Sequence, residues 1–228
     1  MPAATAHVIA DPGMNWHYYT EPQKHLDGRR LMWPRARVLG GCSSHNTMVF
    51  IRGHARDYDH WRQLGCEGWS YADVLPYFRR SEMRSVGGDE YHGDQGPMRI
   101  HPANDPNPLP QAFVDAGQQA GFPYTADFNG RQQEGVGRFD LNIDKGNRCN
   151  TAYAYLRPAL SRKNLTVIVE AFTLRLLFEG TRSVGVEYSH KGQIKQARSE
   201  REVILSCGAI NSPQLLMLSG IGDPDHLR

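Results

Sequence analysis

Arg35-Ala36-Arg37-Val38-Leu39-Gly40-Gly41-Cys42-Ser43-Ser44-His45-Asn46-Thr47-Met48-Val49-Phe50-Ile51-Arg52-Gly53 gathers its smallest side chains at one point, where a backbone can come close to another group. Gly40-Gly41 opens dihedrals closed to other residues, and Cys42, Ser43 and Ser44 keep the next turn narrow and polar. Two structures satisfy that pattern: a loop that cradles a ligand, and a tight crossing inside a core.

A second small-residue stretch lies far along the chain. Val203-Ile204-Leu205 leads through Ser206 and Cys207 into Gly208-Ala209-Ile210-Asn211-Ser212-Pro213-Gln214-Leu215-Leu216-Met217-Leu218-Ser219-Gly220-Ile221-Gly222. The pattern predicts a strand, a tight turn and a short helix, with Ser212 as N-cap, Pro213 as first helical residue and Gly220 as stop. A helix N-terminus after such a turn can face a phosphate, and ordinary α/β units are built the same way.

The string from Pro34 to Trp61 resembles the flavin-contacting segment of the glucose-methanol-choline family of FAD oxidoreductases, most closely its choline and alcohol dehydrogenase members. Residues 208–222 resemble the family's other signature, in the family's order. Asn15-Trp16-His17-Tyr18-Tyr19-Thr20-Glu21-Pro22 is similar to the approach to the first signature, and Tyr91-His92-Gly93 and Asn129-Gly130 to its substrate-side domain. The resemblance implies a mixed α/β (α+β) fold. An incomplete dinucleotide-binding domain would be joined to part of a substrate-side domain with antiparallel strands. It assigns residues 1–70 to a FAD-contacting segment, 71–160 mainly to the substrate side, and 161–228 to antiparallel strands returning to the FAD-binding domain.

By resemblance, Val38, Gly40, Gly41 and Cys42 lie against the flavin, and Asn46, Thr47, Met48 and Val49 present polar groups to it. Thr173 matches a position whose backbone contacts adenine, and Ala209 belongs to the signature at the adenine end. His45 stands where most dehydrogenase members carry an apolar residue. Gly-Gly-Cys-Ser-Ser-His-Asn is similar instead to the family's choline-oxidising oxidases, in which this histidine attaches FAD covalently. A histidyl-flavin bond, a non-covalent contact and simple packing are the three readings of His45.

The implied reaction is oxidation of a primary alcohol, choline or another, to the aldehyde by hydride transfer to the flavin, with a neutral imidazole as the expected base. The resemblance places that base, and its partner, beyond Arg228, and the Gly-x-Gly-x-x-Gly unit for the dinucleotide before the first match. The chain therefore reads as the middle of a larger enzyme whose partners include the remaining portions. By itself it is expected to bind FAD weakly and not to turn over. An inactive fragment or binding module derived from such an oxidoreductase is the alternative.

Composition bounds the rest. The 228 residues allow one large domain or two small ones, and 26 basic against 24 acidic residues give no electrostatic case for nucleic acid or an anionic membrane. Cys42, Cys66, Cys149 and Cys207 lack the short paired spacings of a zinc site, and His54 and His60 do not share a helix face, which disfavours a metal-dependent hydrolase. The N-terminus lacks the basic start and apolar core of a signal peptide, and no run reaches the ~18 apolar residues of a membrane span. The expected compartment is the cytoplasm. The electron acceptor is not indicated.

Local patterns complete the reading. Residues 11–30 predict loops around one short extended piece, with Trp16, Tyr18 and Tyr19 as core aromatics. Asp57 is the expected N-cap of a helix ended by Gly65, and Ser70 with Asp73 caps a second, with Val74, Leu75, Tyr77 and Phe78 buried and Pro76 splitting it. The resemblance places His92 in a structural turn rather than at the flavin. A strand over Met98–His101 and a helix from Leu109 to Ala120 follow. Beyond them come Leu165–Val169, a hairpin around Glu179-Gly180-Thr181, Gln193–Arg198 and Val203–Leu205 as strands.

Overall fold

The computed structural model describes residues 4–104 and 106–227, and the chain divides into two compact units, Met1–Leu160 and Ser161–Arg228. In the first, α1 (Thr5–Ala10) precedes β1 (Tyr18–Tyr19), which pairs antiparallel with β2 (Met32–Trp33). Trp16 and Tyr18 stack at 6.1 Å and are half-buried, but Tyr19 is exposed, so the expectation of three core aromatics holds only in part. A 3-10 turn over Gly41–Ser44 leads into β3 (Val49–Phe50).

The N-cap of helix α2 (Ala55–Gln63) lies three residues before the expected one. His54 is the N-cap, its Nδ1 accepting the Arg56 N–H at 3.1 Å, while Asp57 closes a capping box from N3 by accepting the His54 N–H at 2.8 Å. An aspartate satisfies helix-start donors as well from N3 as from the cap, which is why composition alone misplaced the boundary. In α3 (Tyr71–Ser81) the Ser70–Asp73 box is as expected, but the helix runs unbroken through Pro76. Pro76 comes after the first turn is fixed, so only the Ala72 carbonyl loses a partner. Tyr77 is 62% exposed rather than buried. The inward stripe is Tyr71, Val74, Leu75 and Phe78, the spacing of one helix face.

β4 (Glu82–Arg84) continues directly from α3 and pairs parallel with β5 (Met98–Pro102). Helix α4 (Pro108–Gln119), capped by Asn107, stops before Gly121, whose φ of +94° suits a left-handed terminus. With β6 (Asp140–Leu141) the sheet order is β3-β6-β5-β4, antiparallel except for β4 and β5. β7 (Ile143–Asp144) and β8 (Asn147–Arg148) form a hairpin on Lys145-Gly146, with φ +47° and +74°, the mirror-image turn that matches strand twist. Met98, Ile100, Cys149 and Ala154 form the core, with Phe50 packed against it. Ala154 lies in a π-helical turn (Ala152–Leu156) that runs into α5 (Arg157–Ala159).

The second unit holds β9 (Ala171–Glu179), β10 (Arg182–His190) and β11 (Gln193–Arg198) in the order β11-β10-β9, all antiparallel. α6 (Gly208–Leu218) packs on β9, Leu215, Leu176 and Leu177 are buried, and the Leu176 N–H donates to Ser219 Oγ at 2.8 Å. Two expectations fail here. Leu165–Val169 and Val203–Leu205 are not strands: neither has a sheet partner among the described residues, and Ile204 is 77% exposed. Apolar character favours a strand only where a neighbour takes its backbone donors and acceptors. The helix also begins at Gly208 instead of Ser212, whose Oγ accepts the Cys207 N–H at 3.1 Å; Pro213 lies inside the helix. Its end is as expected, with Gly220 at φ +80°. No helix among the described residues is long and apolar enough to cross a membrane.

Candidate functional site

Gly40 and Gly41 are both left-handed, at φ +89° and +54°, but for different neighbours. A Cβ on Gly40 would stand 2.6 Å from Ser44 Oγ and 3.3 Å from Ala152, whereas one on Gly41 would meet open space. The first glycine lets the loop fold against its own chain; the second serves the backbone turn while leaving its outer face clear.

The turn is clasped by residues about a hundred positions later. Ser43 Oγ donates to the Gly40 carbonyl at 2.5 Å and accepts the Thr151 N–H at 3.0 Å, and Thr151 Oγ1 donates to the same carbonyl at 3.1 Å. Asn150 Nδ2 donates to Ser44 Oγ at 2.9 Å. Arg148 Nη1 donates to the Ser43 carbonyl at 3.2 Å and to Asn46 Oδ1 at 2.7 Å, and its Nη2 to Thr5 Oγ1 at 2.9 Å. The sequence marks Ser43 and Ser44 as small and polar, but nothing local in Arg148-Cys149-Asn150-Thr151 ties it to this loop.

The candidate residues of the first signature all lie in this one unit. His45 follows the 3-10 turn and is 4% exposed, with its Nδ1 buried and without a hydrogen-bond partner. Burial first, then the charges of Arg148 and Arg35, hold its pKa below the ordinary histidine value, so the ring is neutral near pH 7. Met48 is buried at φ +66°, and its N–H is received by Asn46 Oδ1 at 3.0 Å. Asn46, Thr47 and Val49 are exposed, while Val38, Gly40, Gly41 and Cys42 are half-buried. Arg35 Nη1 points to Cys42 Sγ at 3.9 Å. Thr173, on β9 opposite Tyr188, and Ala209, in the first turn of α6, belong to the second unit.

A chain of alternating charges runs through the first unit. Arg52 Nη2 donates to Glu82 Oε1 at 2.8 Å, which also receives His92 Nδ1 at 2.8 Å and the Gly93 N–H at 3.0 Å. His92 Nε2 meets Asp127 Oδ2 at 2.8 Å, Arg84 lies 3.6 Å from the same oxygen, and Arg84 Nε donates to Asp140 Oδ2 at 2.8 Å. Glu82 and His92 are fully shielded from solvent. Burial opposes charge on His92, but the hydrogen bonds to Asp127 and Glu82 outweigh it and push its pKa up to about 9. Burial likewise favours protonation of Glu82, yet His92 and Arg52 hold it lowered; His92, Asn129 and Arg84 do the same for Asp127.

Asp89, His92 and Asp127 bring ligand atoms within 4.8 Å of one another. Both imidazole nitrogens are committed to carboxylates, however, and an imidazolium offers a metal no lone pair. His92 therefore acts as a cationic strut in its turn, while the loop over 40–49 joins left-handed glycines, exposed polar groups and a neutral buried imidazole at one place.

The sequence profile of the family described as GMC oxidoreductase matches residues 4–227. The mitochondrial choline dehydrogenase of Mus musculus is 54% identical over all 228 residues, which cover 38% of its length. Among solved structures, pyridoxine 4-oxidase from Mesorbium loti superposes with a TM-score of 0.91 at 36% identity, over 99% of this chain and 45% of that one. An FAD-dependent oxidoreductase from Chaetomium thermophilum gives 0.86 at 27% identity, over 93% of this chain and 39% of that one. The chain thus spans about two fifths of the length of the choline dehydrogenase it matches.

Proposed function

The chain belongs to the GMC oxidoreductase family, and from that premise we propose that it supplies the flavin-facing loop of an FAD-dependent enzyme oxidising a primary alcohol, choline or one like it, to the aldehyde. The observation that carries the reading is the loop over Gly40–Val49, whose left-handed Gly41 leaves its outer face open beside the exposed Asn46 and Thr47. These residues fit a planar, polar-edged ring: backbone approach at Gly41, amide and hydroxyl groups at Asn46 and Thr47, and positive charge from Arg148 on the loop. FAD, when bound, supplies the acceptor for the hydride that leaves the alcohol carbon. The choice of choline rests on the choline dehydrogenase at 54% identity.

His45 is the proposed attachment point for a covalent flavin. Such a bond needs an unprotonated ring nitrogen, and His45 is held neutral with a buried, unpartnered Nδ1. The neutral His45 ring would supply the nucleophilic nitrogen for such a bond, and the flavin, when bound, would supply the oxidising equivalents it needs. The proton of the alcohol hydroxyl is assigned to a base outside this loop, and Thr173 and Ala209 to the adenine end of the cofactor.

Titration of the purified chain with FAD, read by flavin fluorescence, is expected to show weak saturable quenching, with no alcohol-dependent dye reduction by these 228 residues alone. Absence of any quenching would overturn the assignment of the loop. Acid precipitation of protein made in flavin-replete cells separates the two modes: yellow colour in the pellet supports the bond at His45, and full release of FAD removes it.

A further inference from the structure

Asn150 carries one side-chain amide whose two ends are committed to different elements. Its Oδ1 accepts the Tyr153 N–H at 2.7 Å, while its Nδ2 donates to Ser44 Oγ at 2.9 Å. The first bond is a helix cap. Thr151 already has helical dihedrals, φ −65° and ψ −28°, and the Asn150 carbonyl accepts the Ala154 N–H at 2.9 Å, so the helical run from Thr151 to Ala159 starts at Asn150.

The cap end is held on several sides. Cys149, fully shielded, exchanges bonds with Asn142: its N–H donates to the Asn142 carbonyl at 2.9 Å, and its own carbonyl accepts Asn142 Nδ2 at 2.8 Å. Ala154 is in the core, Tyr153 Oη donates to Asp144 Oδ2 at 2.9 Å, and Tyr155 Oη donates to the Ser81 carbonyl at 3.3 Å. The loop end is tied to the glycine turn. Ser44 Oγ donates to the Leu39 carbonyl at 2.8 Å and fills the space that a Cβ on Gly40 would need, 2.6 Å away. Where Ser44 stands, the turn at Leu39 and Gly40 follows. Aspartate and serine cap helices as well as asparagine does, but an aspartate brings no proton for Ser44 and a serine is one atom shorter. The second bond is what asparagine adds at this cap.

We propose that Asn150 is a positioning residue for the cofactor loop, a role that rests on the flavin-facing reading of that loop: through Ser44 it sets where the outer face of Gly41, with Asn46 and Thr47 beyond it, stands against the flavin ring. The helical run is the fixed element and the loop is the part it places.

Asn150→Ser keeps a capping oxygen and gives up the reach to Ser44. In the 228-residue chain without FAD it is expected to melt within about 2–4 °C of the wild type. Hydrogen exchange at the Gly41, His45 and Asn46 amides, which donate to the Val38 and Cys42 carbonyls, is expected to quicken about fivefold. With FAD added, fluorescence titration should show about tenfold weaker binding, and the visible circular dichroism of the bound flavin should change shape, which a loss of stability alone does not produce. Asn150→Asp is the second variant: Ser44 can meet its carboxylate only by leaving the Leu39 carbonyl, and the same changes are expected. Wild-type exchange rates in both variants would overturn the role, as would unchanged affinity and dichroism in a variant whose loop exchanges faster. Failure of the wild-type chain to bind FAD counts instead against the flavin-facing reading, and the exchange rates still decide whether Asn150 holds the turn.

Discussion

His92 Nδ1 and Glu82 Oε1 lie 2.8 Å apart with both side chains fully shielded from water. A hydrogen bond between opposite charges in that setting is strong while both remain charged and a liability as soon as one does not. Because Glu82 leads into β4 and His92 lies in the loop before β5, the bond ties the sheet edge to the irregular segment that follows.

The pH dependence of stability follows from the sign of each shift. His92 is protonated in the fold up to about pH 9 against an unfolded value near 6.5, so its contribution is complete below about pH 6.5 and lost as pH rises through 9. Glu82 and Asp127 are lowered, so theirs is present above their unfolded values and lost in acid. Melting temperatures are expected to fall from pH 7 to 9.5, and His92→Gln to flatten that limb. An unchanged slope in the variant would refute the assignment.

Glu82→Gln removes the only carboxylate shared by Arg52 and His92 among the described residues. Leaving two buried cations without it is expected to cost about 3–5 kcal/mol in urea unfolding. Replacement of the exposed Glu179, whose partner Arg198 is also exposed, serves as the control and should change stability by less than about 1 kcal/mol.

At the loop, Gly40→Ala and Gly41→Ala separate conformation from contact. Both demand a left-handed alanine, costing about 1 kcal/mol, but only Gly40 adds a clash with Ser44 Oγ. Gly40→Ala should therefore be the more destabilising. Gly41→Ala should lower the melting temperature by only about 2–4 °C while lowering FAD affinity; the reverse order would mean that Gly41 does not face the ring.

Arg148→Met keeps the length of the side chain and removes its donors to Ser43 and Asn46. Hydrogen exchange at residues 41–48 is expected to accelerate, and FAD to bind about tenfold more weakly, in line with the loss of charged hydrogen bonds. Protection unchanged at those amides would show that the clasp is carried by Asn150 and Thr151 alone.

Signals lying within a few residues of one another were legible in the sequence: the Ser70–Asp73 capping box, the Gly121 and Gly220 stops, and the hairpin from β9 to β10. The small-residue loop was legible too, both as a close-approach pattern and as a family resemblance. The ion chain was not, since Arg52, Glu82 and Asp127 carry no mark of burial in their type or spacing. Lys145-Gly146 and Lys191-Gly192 form mirror-image turns although lysine is not the usual cue for one. Leu165–Val169 shows the opposite error, where apolar composition reads as a strand but no neighbour within the described residues accepts its backbone.

The clasp between Ser43 and Thr151 spans 108 positions. On a ribosome adding ~5–20 residues per second, the loop would be synthesised some 5–20 s before its anchors. Until then Gly40-Gly41 has only local bonds, such as that from Ser43 Oγ to the Gly40 carbonyl, to hold its turn, and the entropic cost of closing so long a separation falls due late. Synthesis of this chain should therefore pass through a stage with β1 and β2 already available for pairing and the loop still shapeless, making cofactor capture a late event whatever the abundance of FAD.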